Sequence, residues 1–140
     1  MPSRLETHEH DVLVIGAGGA GLRAAVEAVA QGASVGLVCK SLLGKAHTVM
    51  AEGGIAAAMA NVDPQDSWQT HFCDTMRGGK MLNNWRMAQL HAMEAPDRVR
   101  ELEQWGALFD RTSDGAILQR AFGGHTFPGF ATSATAQDSR

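Results

Sequence analysis

Two stretches hold residue types that could do chemistry. Gly16, Gly18 and Gly21 lie in the spacing Gly-x-Gly-x-x-Gly, inside the run Gly16-Ala17-Gly18-Gly19-Ala20-Gly21. His47 follows in Lys45-Ala46-His47-Thr48, ahead of Ala51-Glu52-Gly53-Gly54-Ile55. In the first stretch, one glycine permits a tight turn. The next lets backbone approach a pyrophosphate, and the third lets a helix pack close to a strand. Free N–H groups at the positive end of that helix would face the anion. In the second stretch, imidazole is a nucleophile toward an activated carbon such as a flavin methyl group. The adjoining glycines would let a flat ring lie against the backbone. A loop histidine is otherwise commonly just solvated or hydrogen-bonded.

The glycine run needs a strand before it and a helix after it. Asp11-Val12-Leu13-Val14-Ile15 is a short apolar run, the pattern of a buried parallel strand. Leu22, Ala25, Val26 and Val29 recur at helical spacing, and Gly32 suits a helix C-terminus. Ser34–Cys39 reads as a second strand, completing β-α-β. The acid that commonly ends this strand in a nicotinamide dinucleotide site is missing, because Val38-Cys39-Lys40-Ser41 stands there. That disfavours NAD and leaves FAD or an unusual variant open.

Residues 40–61 form a Gly- and Ala-rich stretch with a helical option around Ile55–Met59, though its glycine pairs favour a loop. Asp63-Pro64 and Asp66 mark a turn or helix start, and Trp68–Met76 begins a helix. Further helices are expected over 85–94 and, opened by Pro96, over 96–105. Ser113-Asp114-Gly115 lies between apolar runs and signals a β-hairpin. Residues 1–10 read as a disordered leader. The small, polar, aperiodic residues 129–140 read as a disordered tail.

With 140 residues, 44% of them hydrophobic and 19% charged, the chain has globular composition and the length of one domain. A net charge of −3 argues against a dedicated nucleic-acid binder. The two cysteines, Cys39 and Cys73, form no CxxC pair, so no zinc site is expected and a reducing compartment fits. No apolar run is long enough to span a membrane, and the polar start is unlike a secretory signal. His8-Glu9-His10-Asp11 looks like a metal cluster, but it stands on the leader. His71 and His91 read as satisfied or exposed helix histidines. Met76, Met81, Met87 and Met93, like Trp68, Trp85 and Trp105, read as packing residues. Glu101 and Glu103 beside Arg98 and Arg100 read as a solvated helix face.

GAGGAGLRAA, HTVMAEGGIAAAMAN, DTMRGGKMLNNWRMAQLHAMEAPDRV and QRAFGGH together resemble the N-terminal part of the flavoprotein subunit of succinate dehydrogenase and fumarate reductase, over about residues 10–128. The resemblance implies an α/β fold: a partial Rossmann-like FAD-binding domain with a parallel sheet, extra helices and a β-hairpin, its N-terminal part over 11–128. It implies FAD bound covalently through His47 to the flavin 8α carbon. Gly16, Ala17, Gly18, Gly19, Ala20 and Gly21 would hold the pyrophosphate. Lys40 and Ser41 would lie by the adenosine ribose. His47, Thr48, Ala51, Gly53 and Gly54 would line the isoalloxazine, while Gly53 and Phe122 would face a dicarboxylate. Ala121 stands where the family usually has proline, and Ala60 where glycine is common.

In the intact form the resemblance implies interconversion of succinate and fumarate. Electrons would pass to an iron–sulfur subunit, then to quinone. Membrane anchor subunits would hold the complex at the cytoplasmic, inner face of a bacterial cell membrane. The family's catalytic arginine and its clamping histidine lie downstream of the matched segment. No catalytic residue or metal ligand is therefore assigned here, and this chain alone is expected to be inactive. A parallel sheet cut short would also leave an open edge and bare apolar faces, so poor folding is expected. With high-G+C wobble bases chosen, Ala131–Arg140 read in a shifted frame spells His-Val-Gly-Asp-Arg-Thr-Gly-Leu-Glu, as the family continues. The tail is accordingly expected to be frameshifted. Two alternatives stand beside this reading: a soluble flavin oxidase of the L-aspartate oxidase type, and a non-catalytic nucleotide-binding fragment.

Overall fold

The computed structural model describes residues 5–51 and 53–132. The chain divides after Ala51 into two compact units.

The first unit holds β1 (Val12–Ile15), α1 (Gly19–Ala30), β2 (Val35–Val38) and α2 (His47–Met50). β1 and β2 pair in parallel, from Val12 opposite Val35 to Ile15 opposite Val38. The expected β-α-β unit is therefore present, and its tight geometry explains Gly21. A Cβ there would overlap the carbonyl oxygen of Gly16, so only glycine lets α1 start this close to the strand. Gly32 adopts φ +87° just past α1, as its place at the helix end requires. At the other end of the strand pair, the Asp11 carboxylate accepts from the Ser34 N–H and hydroxyl at 2.8 and 2.7 Å. The His10 ring lies over Gly36, leaving no room for a side chain there. His10 and Asp11 are thus tied to β2, and the described residues contain no metal-binding cluster. Apolar surface of this unit stays bare, and Ile15 keeps 83% of its exposure.

The second unit holds β3 (Gly54–Ala56), α3 (Trp68–Gly78), α4 (Trp85–Gln104), β4 (Gln119–Arg120) and β5 (Phe130–Thr132). The sheet order is β3-β5-β4, all antiparallel. Ile55 thus belongs to a strand rather than a helix. Phe130–Thr132, expected in a disordered tail, is the central strand. Pairing uses backbone groups, and Ala131 is small enough to bury completely between its neighbours. Residues 133–140, which carry the rest of that expectation, lie outside the described residues, as do residues 1–4 of the leader.

Ser67 caps α3, its hydroxyl accepting the Thr70 N–H at 3.3 Å. Asn84 caps α4 through the N–H groups of Arg86 and Met87. α4 runs unbroken for 20 residues with Pro96 inside it, where two helices were expected. Proline removes a helix hydrogen bond and costs about 3 kcal/mol. Burial of Ala88, Ala92, Ala95 and Val99 along one face outweighs that loss. The core gathers Ala57, Ala95, Val99, Phe109, Ile117 and Ala131. Beside it, Gln119 Nε2 donates to the Ala57 carbonyl at 2.8 Å and to Asp66 at 3.3 Å. Asn61 donates to Gln119 Oε1 and the Ile117 carbonyl. Burial raises the Asp66 pKa, and the Gln119 bond works against that rise.

The hairpin at 113–115 is present, with Gly115 at φ +86° and Arg111 bridged to Ile117. Arg98 pairs with Glu101 at 2.9 Å, as expected, but Arg100 pairs with Asp97, and Glu103 is half-buried and pairs with Arg111. Met81, Met87, Met93, Trp85 and Trp105, expected to pack, are exposed instead. They lie off the alanine face of α4 or in the turns at its two ends. Among the described residues, no helix is long and apolar enough to cross a membrane.

Candidate functional site

The glycine run brings β1 into α1 with Gly16 at φ +112°, a conformation that side chains disfavour. Gly18 is the α1 N-cap and supplies no side-chain cap. The first N–H groups of a helix have no acceptor one turn earlier. Among the described residues, the N–H groups of Gly18, Ala20 and Gly21 have no partner, and the Leu22 N–H is the first to bond back, to Gly18. The Gly19 N–H is taken by Thr48 Oγ1 at 3.1 Å. The short helix α2 therefore stands over the start of α1, with His47 exposed beside it.

Gly16, Ala17, Gly18, Lys40, Ser41, His47 and Thr48 line one cleft of about 370 Å³. That volume is within the usual range for small-molecule sites. Cys39, Leu42, Lys45 and Ala46 line it too. Sequence reasoning did not assign these four, although a second lysine close to a glycine run was a usable signal for anion binding. Thr48 contacts the glycine run itself, whereas the resemblance puts it along the isoalloxazine.

The remaining expected residues lie in the second unit. Gly54 adopts φ +135°, and a Cβ on it would overlap the Ala131 carbonyl oxygen. Its need for glycine thus comes from the pairing of β3 with β5. Gly53 is buried at φ +105°, flanked by the Arg120 guanidinium and the Phe130 ring. Phe122 stacks on Phe130 with ring centroids 4.6 Å apart. The Arg120 guanidinium carbon sits 5.4 Å from the Phe130 centroid. Sequence reasoning did not select Arg120, and its place two residues before Phe122 was the only hint.

The sequence model of the FAD binding domain family matches residues 11–139. This chain belongs to that family. Within it, the chain is similar to flavoprotein subunits of succinate dehydrogenase and to fumarate reductase proteins. It is 52% identical over 123 residues to a fumarate reductase (CoM/CoB) subunit of Methanothermobacter marburgensis. That match covers 87% of this chain and 22% of the relative. The succinate dehydrogenase flavoprotein subunit of Coxiella burnetii is 46% identical, over 89% of this chain and 21% of its own length. Among solved structures, the apo form of the Mycobacterium smegmatis Sdh1 complex superposes with a TM-score of 0.88 at 71% identity. It covers 92% of this chain and 22% of that one. A variant of the E. coli quinol fumarate reductase protein FrdA gives 0.81 at 37%, over 90% of this chain and 21% of that one. The chain thus spans about a fifth of the length of these relatives.

The cofactor of the family is FAD, and the residues present fit it. The cradle at Gly16, Gly18 and Gly19 carries no side chains. Unpaired N–H groups mark the start of α1, and two lysines line the same cleft.

Proposed function

We propose that this chain supplies the pyrophosphate-binding and flavin-attaching part of a flavoprotein subunit that interconverts succinate and fumarate. The observation that carries the proposal is the single cleft shared by the glycine run and His47. When bound, FAD would supply two-electron redox chemistry between a dicarboxylate and an electron-transfer chain. This chain's residues bind and orient it. The N–H groups at the start of α1 hold the pyrophosphate, and Lys40 and Lys45 add positive charge. Lys40 and Ser41 lie toward the adenosine ribose. His47 provides the nitrogen for a covalent bond to the flavin, with Ala51, Gly53 and Gly54 along the ring. Gly53 and Phe122 face the dicarboxylate, and Arg120 beside Gly53 offers a cation to a carboxylate.

Several relatives are named as subunits of succinate dehydrogenase or fumarate reductase. That supports partnership with membrane anchor subunits and an iron–sulfur subunit, with quinone as acceptor. It also supports a peripheral position at the inner face of a bacterial membrane. Titrating the purified chain with FAD, followed by flavin fluorescence, tests the binding reading. Saturable binding at a single site is expected, and no binding at high micromolar FAD would overturn it. Flavin retained after acid precipitation, and lost in His47→Ala, is expected for the covalent bond. Flavin that survives acid in His47→Ala would refute that assignment.

A further inference from the structure

The Gly19 N–H belongs to the group of amides that a pyrophosphate would use, yet Thr48 Oγ1 already accepts it at 3.1 Å. Thr48 also lies against Gly18 and Gly19. A Cβ at Gly19 would sit 3.2 Å from Thr48 Cγ2, and one at Gly18 would sit 3.6 Å from Oγ1. Thr48 follows His47 directly on α2, and the Ala51 N–H closes that turn onto the His47 carbonyl at 2.9 Å. The turn that carries the histidine is therefore pinned to the start of α1 by one side-chain hydroxyl.

A threonine hydroxyl both accepts and donates. Thr48 accepts the Gly19 N–H. A pyrophosphate bound at the start of α1 would give the hydroxyl proton an acceptor. We propose that Thr48 is a positioning residue that reports pyrophosphate occupancy to the His47 turn. Its hydroxyl accepts the Gly19 N–H and has its own proton to give to a pyrophosphate oxygen at the start of α1. The proposal rests on the FAD-binding reading above. In it, the hydroxyl keeps the α1 amides preorganised, so that part of the ordering is complete before the ligand binds. It also keeps the turn that carries His47 pinned to the start of α1.

The test uses the full chain as wild type, Thr48→Val and Thr48→Ser. Valine keeps the shape and removes the hydroxyl, while serine keeps the hydroxyl and removes the methyl group. Thr48 is exposed, so neither change disturbs a core. Two readouts are needed: FAD affinity by fluorescence titration, and hydrogen exchange of the Gly19 amide without FAD. Loss of one hydrogen bond to a charged group predicts affinity about tenfold weaker in Thr48→Val. Faster Gly19 exchange in that variant and wild-type behaviour of Thr48→Ser complete the expected result. Wild-type affinity in Thr48→Val overturns the inference and leaves the FAD site standing. Weakening confined to Thr48→Ser also overturns it, since packing of the methyl group would then be the cause. If the wild type fails to bind FAD, the binding reading itself falls, and the inference falls with it.

Discussion

Asp74 on α3 receives both the N–H and the hydroxyl of Thr126, at 2.6 and 2.8 Å, across 52 residues of chain. Only 5% of Asp74 remains exposed. Burial alone would raise its pKa. The two Thr126 bonds and the Arg77 guanidinium at 2.8 Å outweigh it and hold the carboxyl below its usual range. The turn that follows Phe122 is thereby anchored to α3. Asp74→Ala leaves the Thr126 N–H without its acceptor, and a loss of about 2–3 kcal/mol is expected. Arg77 is 68% exposed at its side chain, so Arg77→Ala should cost under about 1 kcal/mol. Chemical denaturation of both variants checks the order, and an equal loss in the two would refute it.

Gly21 and Gly18 belong to one motif but should respond differently to alanine. At Gly21 the new Cβ meets the Gly16 carbonyl, which is backbone and has no easy escape. A destabilisation of about 1–3 kcal/mol is expected, together with loss of FAD binding. At Gly18 the nearest atom is Thr48 Oγ1 at an ordinary 3.6 Å. Gly18→Ala should therefore melt like the wild type and still bind FAD weakly, because its methyl group enters the space kept for pyrophosphate. Thermal melts paired with FAD titrations separate the two cases.

Ala60 sits at φ +55° and is exposed. A left-handed conformation costs a non-glycine residue about 1–2 kcal/mol. Glycine removes that strain, but it also enlarges the freedom of the unfolded chain. Ala60→Gly should still gain up to about 1 kcal/mol, with no change in FAD affinity. A destabilised Ala60→Gly variant would show that the strain is relieved elsewhere.

His71, read from sequence as satisfied or exposed, is 5% exposed, and among the described residues its Nδ1 has no partner. Its ring contacts those of His91 and His125, at centroid distances of 5.6 and 5.4 Å. Burial first, then the charges of His125 and His91, lower its pKa, and Asp74 opposes them. The folded chain thus binds this proton less readily than the unfolded chain. Stability from His71 is complete above its ordinary value of about 6.5, and declines as pH falls from there toward the lowered folded value. Asp74 acts in a lower window, with its contribution lost as pH falls below about 3.8 toward its own lowered value. The melting temperature should therefore drop between pH 7.5 and 5.5, and His71→Gln should flatten that drop. An unchanged slope would assign it to other groups.

The elements legible in the sequence were those set by neighbouring residues. β1, α1 and β2 follow from an apolar run, a glycine turn and a helical repeat, each contained within a few residues. The same locality made the glycine cleft and His47 visible as candidates. Elements that depend on distant partners were not legible. Phe130–Thr132 is a strand only because β3 and β4 flank it. Gly54 must be glycine because Ala131 passes beside it. α4 continues through Pro96 because its alanine face is buried. Thr48 reaches Gly19 across 29 residues, a meeting that no local pattern encodes. Turn sterics and helix periodicity act over a few bonds and leave their mark in the order of residues. Burial and strand pairing act between segments far apart in the chain, so the tertiary structure alone decided what Thr48, His71, Gly54 and Phe130 touch.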